Sequence, residues 1–230
     1  MKGLFITGTD TDVGKTWVTA RLARALRARG IDAGVWKPVQ AGCMWGEPDA
    51  DSHVLKTVSG VEDTEAEICP ISLRAPLAPL VAAAAEDRTL SVDEMISPGD
   101  LLSARHDVLL VEGAGGLAVP VSTGELIVHL AVKLGFPVLI IARPGLGTIN
   151  HTLLSINYAQ QYGLNVIGVI LNRYNEVPAR LTTLTGPNTK ETLSNSLSTN
   201  PLCIELFSQV PVLGRVPDAA EVGTTDGIEN

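Results

Sequence analysis

Residues Gly8 to Thr16 read GTDTDVGKT and close on the Gly-Lys-Thr that ends a phosphate-binding loop. An apolar run, Gly3 to Ile6, precedes them and a helical pattern follows, which is the strand–loop–helix setting such a loop needs. There, backbone N–H groups at a helix N-terminus receive phosphate oxygens. Lys15 would neutralise the terminal phosphates, and the Thr16 hydroxyl would coordinate Mg²⁺. Five residues separate the two glycines, where four are usual, and two of the five are aspartates, Asp10 and Asp12. A loop built to hold an anion rarely places carboxylates beside it without a use for them.

Four further residues could do chemistry with that loop. Glu112 closes the apolar run Val108 to Val111 and is followed by Gly113, Ala114, Gly115 and Gly116. This is where many phosphate-loop enzymes keep the acid that supports Mg²⁺, and the glycines allow close backbone approach to a ligand. Lys37 ends another apolar run and precedes Pro38, an unusual place for a solvated surface lysine. Asp51 stands at a helix start, as an N-cap or as a site carboxylate. Asn172 ends a strand, as a plain cap or as an amide that reads a purine. His53, His106, His129 and His151 have no metal or triad spacing, and no nucleophile elbow is present.

The elements that must position these residues alternate along the chain, which predicts an α/β fold: a single doubly wound, mainly parallel sheet with helices on both faces. Strands are expected over 4–7, 33–37, 107–111, 137–142, 166–171 and 211–215. Helices are expected over 15–29, 51–58, 92–105 with a break near Pro98, 126–134 and 147–162, with Gly30 and Gly60 stopping the first two. Residues 40–50 read as a polar loop, 61–90 as irregular and proline-rich, and 176–200 as a polar stretch with one helix near Thr189 to Leu197. Residues 1–222 would form one domain and 223–230 a flexible tail. In open α/β sheets ligands bind at the carboxyl ends of strands. Those ends hold the phosphate loop, Lys37, Glu112 and Asn172.

Composition agrees. The chain has 230 residues, 45% hydrophobic but only 4% aromatic, so its core must be Ala, Val, Leu and Ile, as in a parallel sheet buried on both faces. A net charge of −8 speaks against nucleic-acid binding. Cys43, Cys69 and Cys203 lack metal spacing and cannot all pair, which suits a reducing compartment. No apolar run reaches membrane-spanning length, and the start leads at once into the first strand, so no leader and a cytoplasmic location are expected.

The ordered set GTDTDVGKT (8–16), KPVQAG (37–42), Asp51, VEGAGG (111–116), GTINH (147–151), Leu171-Asn172 and VPVLGRVP (210–217) resembles the dethiobiotin synthetase family. Any single piece would be weak; the ordered set is specific, and it covers roughly residues 1–175 plus the last motif. The resemblance implies a phosphate-loop NTPase type of fold and a homodimeric, Mg-ATP-dependent cyclo-ligase of biotin biosynthesis, with other nucleoside triphosphates possible. It implies that 7,8-diaminononanoate (7,8-diaminopelargonate) and CO₂ give a carbamate. ATP then converts this to a carbamic-phosphoric anhydride, and ring closure yields dethiobiotin, ADP and phosphate.

Carried over residue by residue, the resemblance gives Lys15 and Lys37 catalytic roles and makes Thr16, Asp51 and Glu112 the Mg²⁺ ligands. The nucleotide would contact Asp12, Val13, Gly14, Lys15, Thr16 and Trp17. Asp51, Glu112, Gly113, Ala114, Gly115, Asn172, Arg173, Val216, Pro217 and Asp218 would complete its site. Thr11, Lys37 and Ala41 would contact the diamine, with Asp12 also on that side, and Gly147 and Asn150 would reach its carboxylate across the dimer interface. The long loop then has two clients, phosphates on its backbone and a diamine beside it. Two positions depart from the family pattern: Ala41 stands where Ser or Thr is frequent, and Ala78 where Ser is frequent.

Two other classes fit less well. Switch ATPases of the partitioning and septum-placement kind typically carry an additional lysine early in the loop, and residues 9–13 hold none. They also often end in a basic amphipathic helix, which this tail lacks. An amidotransferase-type ligase would need a glutaminase domain for which this length leaves no room.

Overall fold

The computed structural model describes residues 2–174 and 196–217. Its elements run β1 (Gly3–Gly8), α1 (Lys15–Arg27), β2 (Ala33–Trp36), β3 (Val39–Ala41), α2 (Asp51–Ser59), α3 (Glu65–Ile68), β4 (Ile71–Leu73) and α4 (Pro79–Ala84). Then follow α5 (Val92–Ile96), α6 (Gly99–Arg105), β5 (Val108–Glu112), β6 (Pro120–Ser122), β7 (Glu125–Leu126) and α7 (Ile127–Leu134). The last are β8 (Val138–Ala142), α8 (Thr148–Gln161), β9 (Val166–Asn172), α9 (Ser196–Ser208) and β10 (Val212–Val216).

Six strands form one parallel sheet in the order β10-β9-β8-β1-β5-β2. Successive strand residues point to opposite faces, so each strand feeds two cores. Phe5, Leu109, Val111 and Ile140 pack with Met95, Leu102, Leu130 and Ile156 from α5, α6, α7 and α8. Ile6, Val35, Leu110 and Leu139 pack on the other face with Val18, Leu55 and Ile68 from α1, α2 and α3. The doubly wound reading holds, and the central strands are apolar up to their carboxyl ends, where Thr7 and Glu112 stand, because both faces are covered.

The differences lie in short elements. Residues 61–90 are not irregular: they hold α3, β4 and α4. Strand β4 pairs with β3 over only three residues, Val39–Ala41 against Ile71–Leu73, too few for a periodic signal. Pro79 does not break α4 but opens it, where the missing N–H costs nothing. The break near Pro98 is real and separates α5 from α6. The hairpin of β6 and β7 went unread for the same reason of length. Helix α9 carries Pro201 inside it, a residue that argues against a helix interior. The helix expected near Thr189 falls largely outside the described residues, as does the tail 223–230.

Candidate active site

The loop after β1 is stitched between two neighbouring strand ends. Gly8 N–H donates to Gly115 O (3.3 Å) and Thr9 N–H to Ile141 O (3.0 Å). Asp12 (φ 57°) and Gly14 (φ 87°) both take the left-handed conformation. At Gly14 a Cβ would lie 2.0 Å from Asn172 Nδ2, so only glycine fits. Asn172 is 2% exposed, and its Nδ2 donates to Val13 O (2.9 Å), bracing the loop from the end of β9. It is thus no plain strand cap, and its Oδ1 is buried with no partner among the described residues. Lys15 is buried at the start of α1, with Nζ donating to Asp10 O (3.2 Å). Burial, and then the charge of Lys37, lower its pKa.

Beside the loop, four side chains from four elements converge. Lys37, at the end of β2 and 3% exposed, places Nζ 2.7 Å from Asp51 Oδ2 and 2.7 Å from Glu112 Oε1. The Thr16 hydroxyl lies 2.7 Å from Asp51 Oδ1 and 2.8 Å from Glu112 Oε1. One hydroxyl proton can serve only one of these acceptors. Glu112 is fully buried, and its Oε2 has no partner among the described residues. Burial pulls the Lys37 pKa down, but Asp51 and Glu112 outweigh it and the pKa rises. Burial pushes Asp51 up, but Lys37 and the Thr16 hydroxyl outweigh it and hold the carboxyl below its usual range. Asp51 is not the N-cap of α2. Ala50 holds that position, and Asp51 is the first helical residue. A hydroxyl and two carboxylates are the hard oxygen donors a magnesium-sized cation selects. The orphaned Glu112 oxygen and the over-subscribed Thr16 hydroxyl are what such a cation would satisfy, so these residues fit one.

Two cavities meet over this cluster. The larger, ≈ 780 Å³, is lined by Thr11, Asp12, Lys15, Lys37, Ala41 and Glu112, with Ala114 and Gly115. The smaller, ≈ 310 Å³, is lined by Trp17, Val54, Asn172 and Pro217. Gly14, Thr16, Asp51 and Arg173 line both. The Arg21 guanidinium covers the Trp17 ring at 4.6 Å. Val13 and Gly113 are buried behind the cavities, and Val216 sits beside Asn172 in the β9–β10 register. Gly147 and Asn150 open α8, outside both cavities of the single chain. Asp218 lies outside the described residues. The sequence reading missed Gln40, Cys43, Asp49, Leu77 and Pro79 in the larger cavity and Val54 in the smaller. Val54 could have been found, because it stands three residues after Asp51 on the same helix face. The others hang on the unread β3–β4 pair.

The family model described as an AAA domain matches residues 2–225. An ATP-dependent dethiobiotin synthetase of Bacillus subtilis subsp. natto is 38% identical over 222 residues, covering 96% of this chain and 90% of the relative. The chain belongs to the dethiobiotin synthetase family. A second such relative, from Anaeromyxobacter dehalogenans strain 2CP-C, is 49% identical over 173 residues, covering 75% of this chain and 77% of the relative. Dethiobiotin synthetases are ligases, and the chain is an enzyme of that kind.

Among solved structures, a ParA family ATPase from Chlorobium tepidum TLS matches with a TM-score of 0.54 and 13% identity, covering 95% of this chain and 84% of that one. The septum site-determining protein MinD of Pyrococcus horikoshii OT3, complexed with Mg-ADP, matches at 0.53 and 18%, covering 95% and 82%. At such identities the likeness is one of fold, that of phosphate-loop ATPases. The switch-ATPase class set aside above thus shares the architecture, while the family is that of the ligases. No helix among the described residues is long and apolar enough to cross a membrane.

Proposed function

We propose that this chain is an Mg-ATP-dependent ligase that closes the ureido ring of dethiobiotin from 7,8-diaminononanoate and CO₂, within one domain over residues 1–222. The single observation that carries this reading is the buried Lys37 ammonium, held between Asp51 and Glu112. It lies beside Thr16 and Asp51, which line both cavities. The smaller cavity takes the adenine, between Trp17, Asn172 and Pro217, with Asp218 following. The phosphates run over Gly14, Lys15 and Thr16 toward Arg173 and the glycine turn of Gly113 to Gly115. Thr16, Asp51 and Glu112 would hold Mg²⁺, which would supply neutralisation of phosphate charge. The larger cavity takes the diamine, between Thr11, Asp12 and Ala41, and Gly147 and Asn150 of a second copy reach its carboxylate in a homodimer.

The chemistry follows from charge. An amine of the diamine adds to CO₂, losing one proton, and gives a carbamate. A carbamate oxygen then attacks the γ-phosphorus, the bond to the ADP oxygen breaks, and a carbamic-phosphoric anhydride forms. The second amine attacks the anhydride carbon, loses a proton, and phosphate leaves with the former carbamate oxygen. An anionic nucleophile thus meets an anionic phosphoryl group, so positioning and charge stabilisation are the main demands. Lys15, desolvated among protein groups, gains its counter-charge from the phosphates. Lys37 lies on the larger-cavity side and holds the carbamate and the phosphoryl group in transfer. Asp12 attracts the ammonium form of the diamine. The test is incubation with the diamine, bicarbonate, Mg²⁺ and ATP, followed by mass. Ring-closed product is expected; ATP hydrolysis independent of the diamine, with no such product, would overturn the reading.

A further inference from the structure

Helix α2 begins without a side-chain cap, because its N-cap is Ala50. Its first N–H groups therefore need acceptors from elsewhere. The Ser52 N–H, next to Asp51, finds one in Gln40 Oε1 at 2.9 Å. The other end of the same amide donates from Nε2 to Ser72 Oγ (2.9 Å) and to the Cys43 carbonyl (3.4 Å). Ser72 Oγ in turn donates to the Cys43 carbonyl at 2.9 Å. The orientation of the amide is set by its partners: an N–H requires the oxygen, and a carbonyl requires the NH₂. Gln40, Ser52 and Ser72 are all buried. Gln40 and Cys43 line the larger cavity, while Asp51 lines both.

We propose that Gln40 is a positioning residue: a remote N-cap of α2 that sets where the Asp51 carboxylate stands and ties it to the cavity wall at Cys43. The proposal rests on the reading that Asp51 helps to hold the metal ion. Neither end of the link can move alone without leaving a buried donor or acceptor unsatisfied. The wall that would meet the diamine and the carboxylate that would meet the cation therefore share one side chain. Glu65 reinforces it, accepting from Gly46 N–H (2.9 Å) and Ser52 Oγ (3.1 Å).

The test is a Mn²⁺ titration in the presence of ADP, with free ion read by electron paramagnetic resonance, alongside diamine KM. Gln40→Leu is expected to weaken Mn²⁺ binding about tenfold, as loss of a group that orients a metal ligand does. Gln40→Glu keeps an oxygen for the Ser52 N–H but loses the donors to Ser72 and Cys43. It should restore Mn²⁺ affinity while raising diamine KM. Ser72→Ala should raise diamine KM and leave Mn²⁺ affinity as in the wild type. A merely structural role would lower Tm and leave the titration unmoved. If Gln40→Leu does not fold, Gln40→Glu and Ser72→Ala decide: weakened Mn²⁺ binding in Ser72→Ala, or unchanged diamine KM in both, overturns the proposal. Asp51→Asn is the control. Should it lose Mn²⁺ while folded Gln40→Leu binds as wild type, the positioning role alone falls. Should Asp51→Asn bind as wild type, the metal reading falls and the proposal with it.

Discussion

Two clusters of charge sit at opposite ends of the same strands. At the amino ends of β2 and β5, His106 lies between Asp32 (2.9 Å) and Asp63 (2.8 Å). Arg105 pairs with Asp63 (3.0 Å) and Glu67 (2.7 Å), and Arg27 with Asp32 (2.9 Å). At the carboxyl ends, Lys37, Asp51, Glu112 and Thr16 converge beside Lys15. The first cluster closes on itself. Each ring nitrogen of His106 faces a carboxylate, and each Asp63 oxygen has a partner, Arg105 or His106. The second does not close: among the described residues Glu112 Oε2 is buried without a partner, as is Asn172 Oδ1 across the loop, and the Thr16 proton has two claimants. Buried polar groups are normally satisfied. A complete cluster therefore reads as architecture, and an incomplete one as a site whose remaining partners are ligands.

The largest effect is expected at Lys37, in the open cluster. Lys37→Gln should cut kcat by about 10³-fold or more, with ADP affinity in calorimetry within a few-fold of wild type. It should also cost about 3–5 kcal/mol in denaturant unfolding, because the buried Glu112 loses its counter-charge, and Mg²⁺ should restore part of that. Normal turnover would remove Lys37 from the reaction. Gly14→Ala comes next. Its Cβ would collide with Asn172 and it would hold a strained φ, so ADP binding should weaken by more than tenfold, equivalent to about 1.4 kcal/mol.

His106→Gln tests the closed cluster. It should lower Tm by several degrees, corresponding to about 1–2 kcal/mol, and leave kcat unchanged. Burial lowers the His106 pKa, but the hydrogen bonds to Asp32 and Asp63 outweigh it, so the folded value lies above 6.5. The stability it contributes is therefore fully present below pH 6.5 and lost as pH rises through the folded value. The Tm gap between wild type and His106→Gln should shrink over that rise. A gap that widened with pH would reverse the assignment. The smallest effect belongs to the exposed pair of Arg88 with Glu94. Arg88→Ala should change unfolding free energy by less than about 1 kcal/mol.

Legibility in the sequence divides along the same line. The phosphate loop, Lys37, Glu112 and Asn172 could be read because each ends an apolar strand of four to seven residues in the buried parallel sheet. The closed cluster could not. Its members come from helix and strand edges far apart in sequence, and His106 bore no spacing signal. The wall of the larger cavity was missed because β3 and β4 are three residues each and become strands only by pairing with one another. Asp51 was legible as a helix start, but the residues alone left open whether it caps the helix or serves the site. The fold decides between the two: Ala50 is the N-cap, and the Asp51 carboxylate meets Thr16 and Lys37 instead.

The open cluster, as proposed, moves a phosphoryl group onto a carbamate. The most direct measurement is a single-turnover reaction with ATP, Mg²⁺, the diamine and bicarbonate labelled throughout with oxygen-18, with the phosphate analysed by mass. One labelled oxygen is expected in inorganic phosphate for each ring closed, because the anhydride breaks on its carbon side. Unlabelled phosphate accompanying ring closure would contradict it.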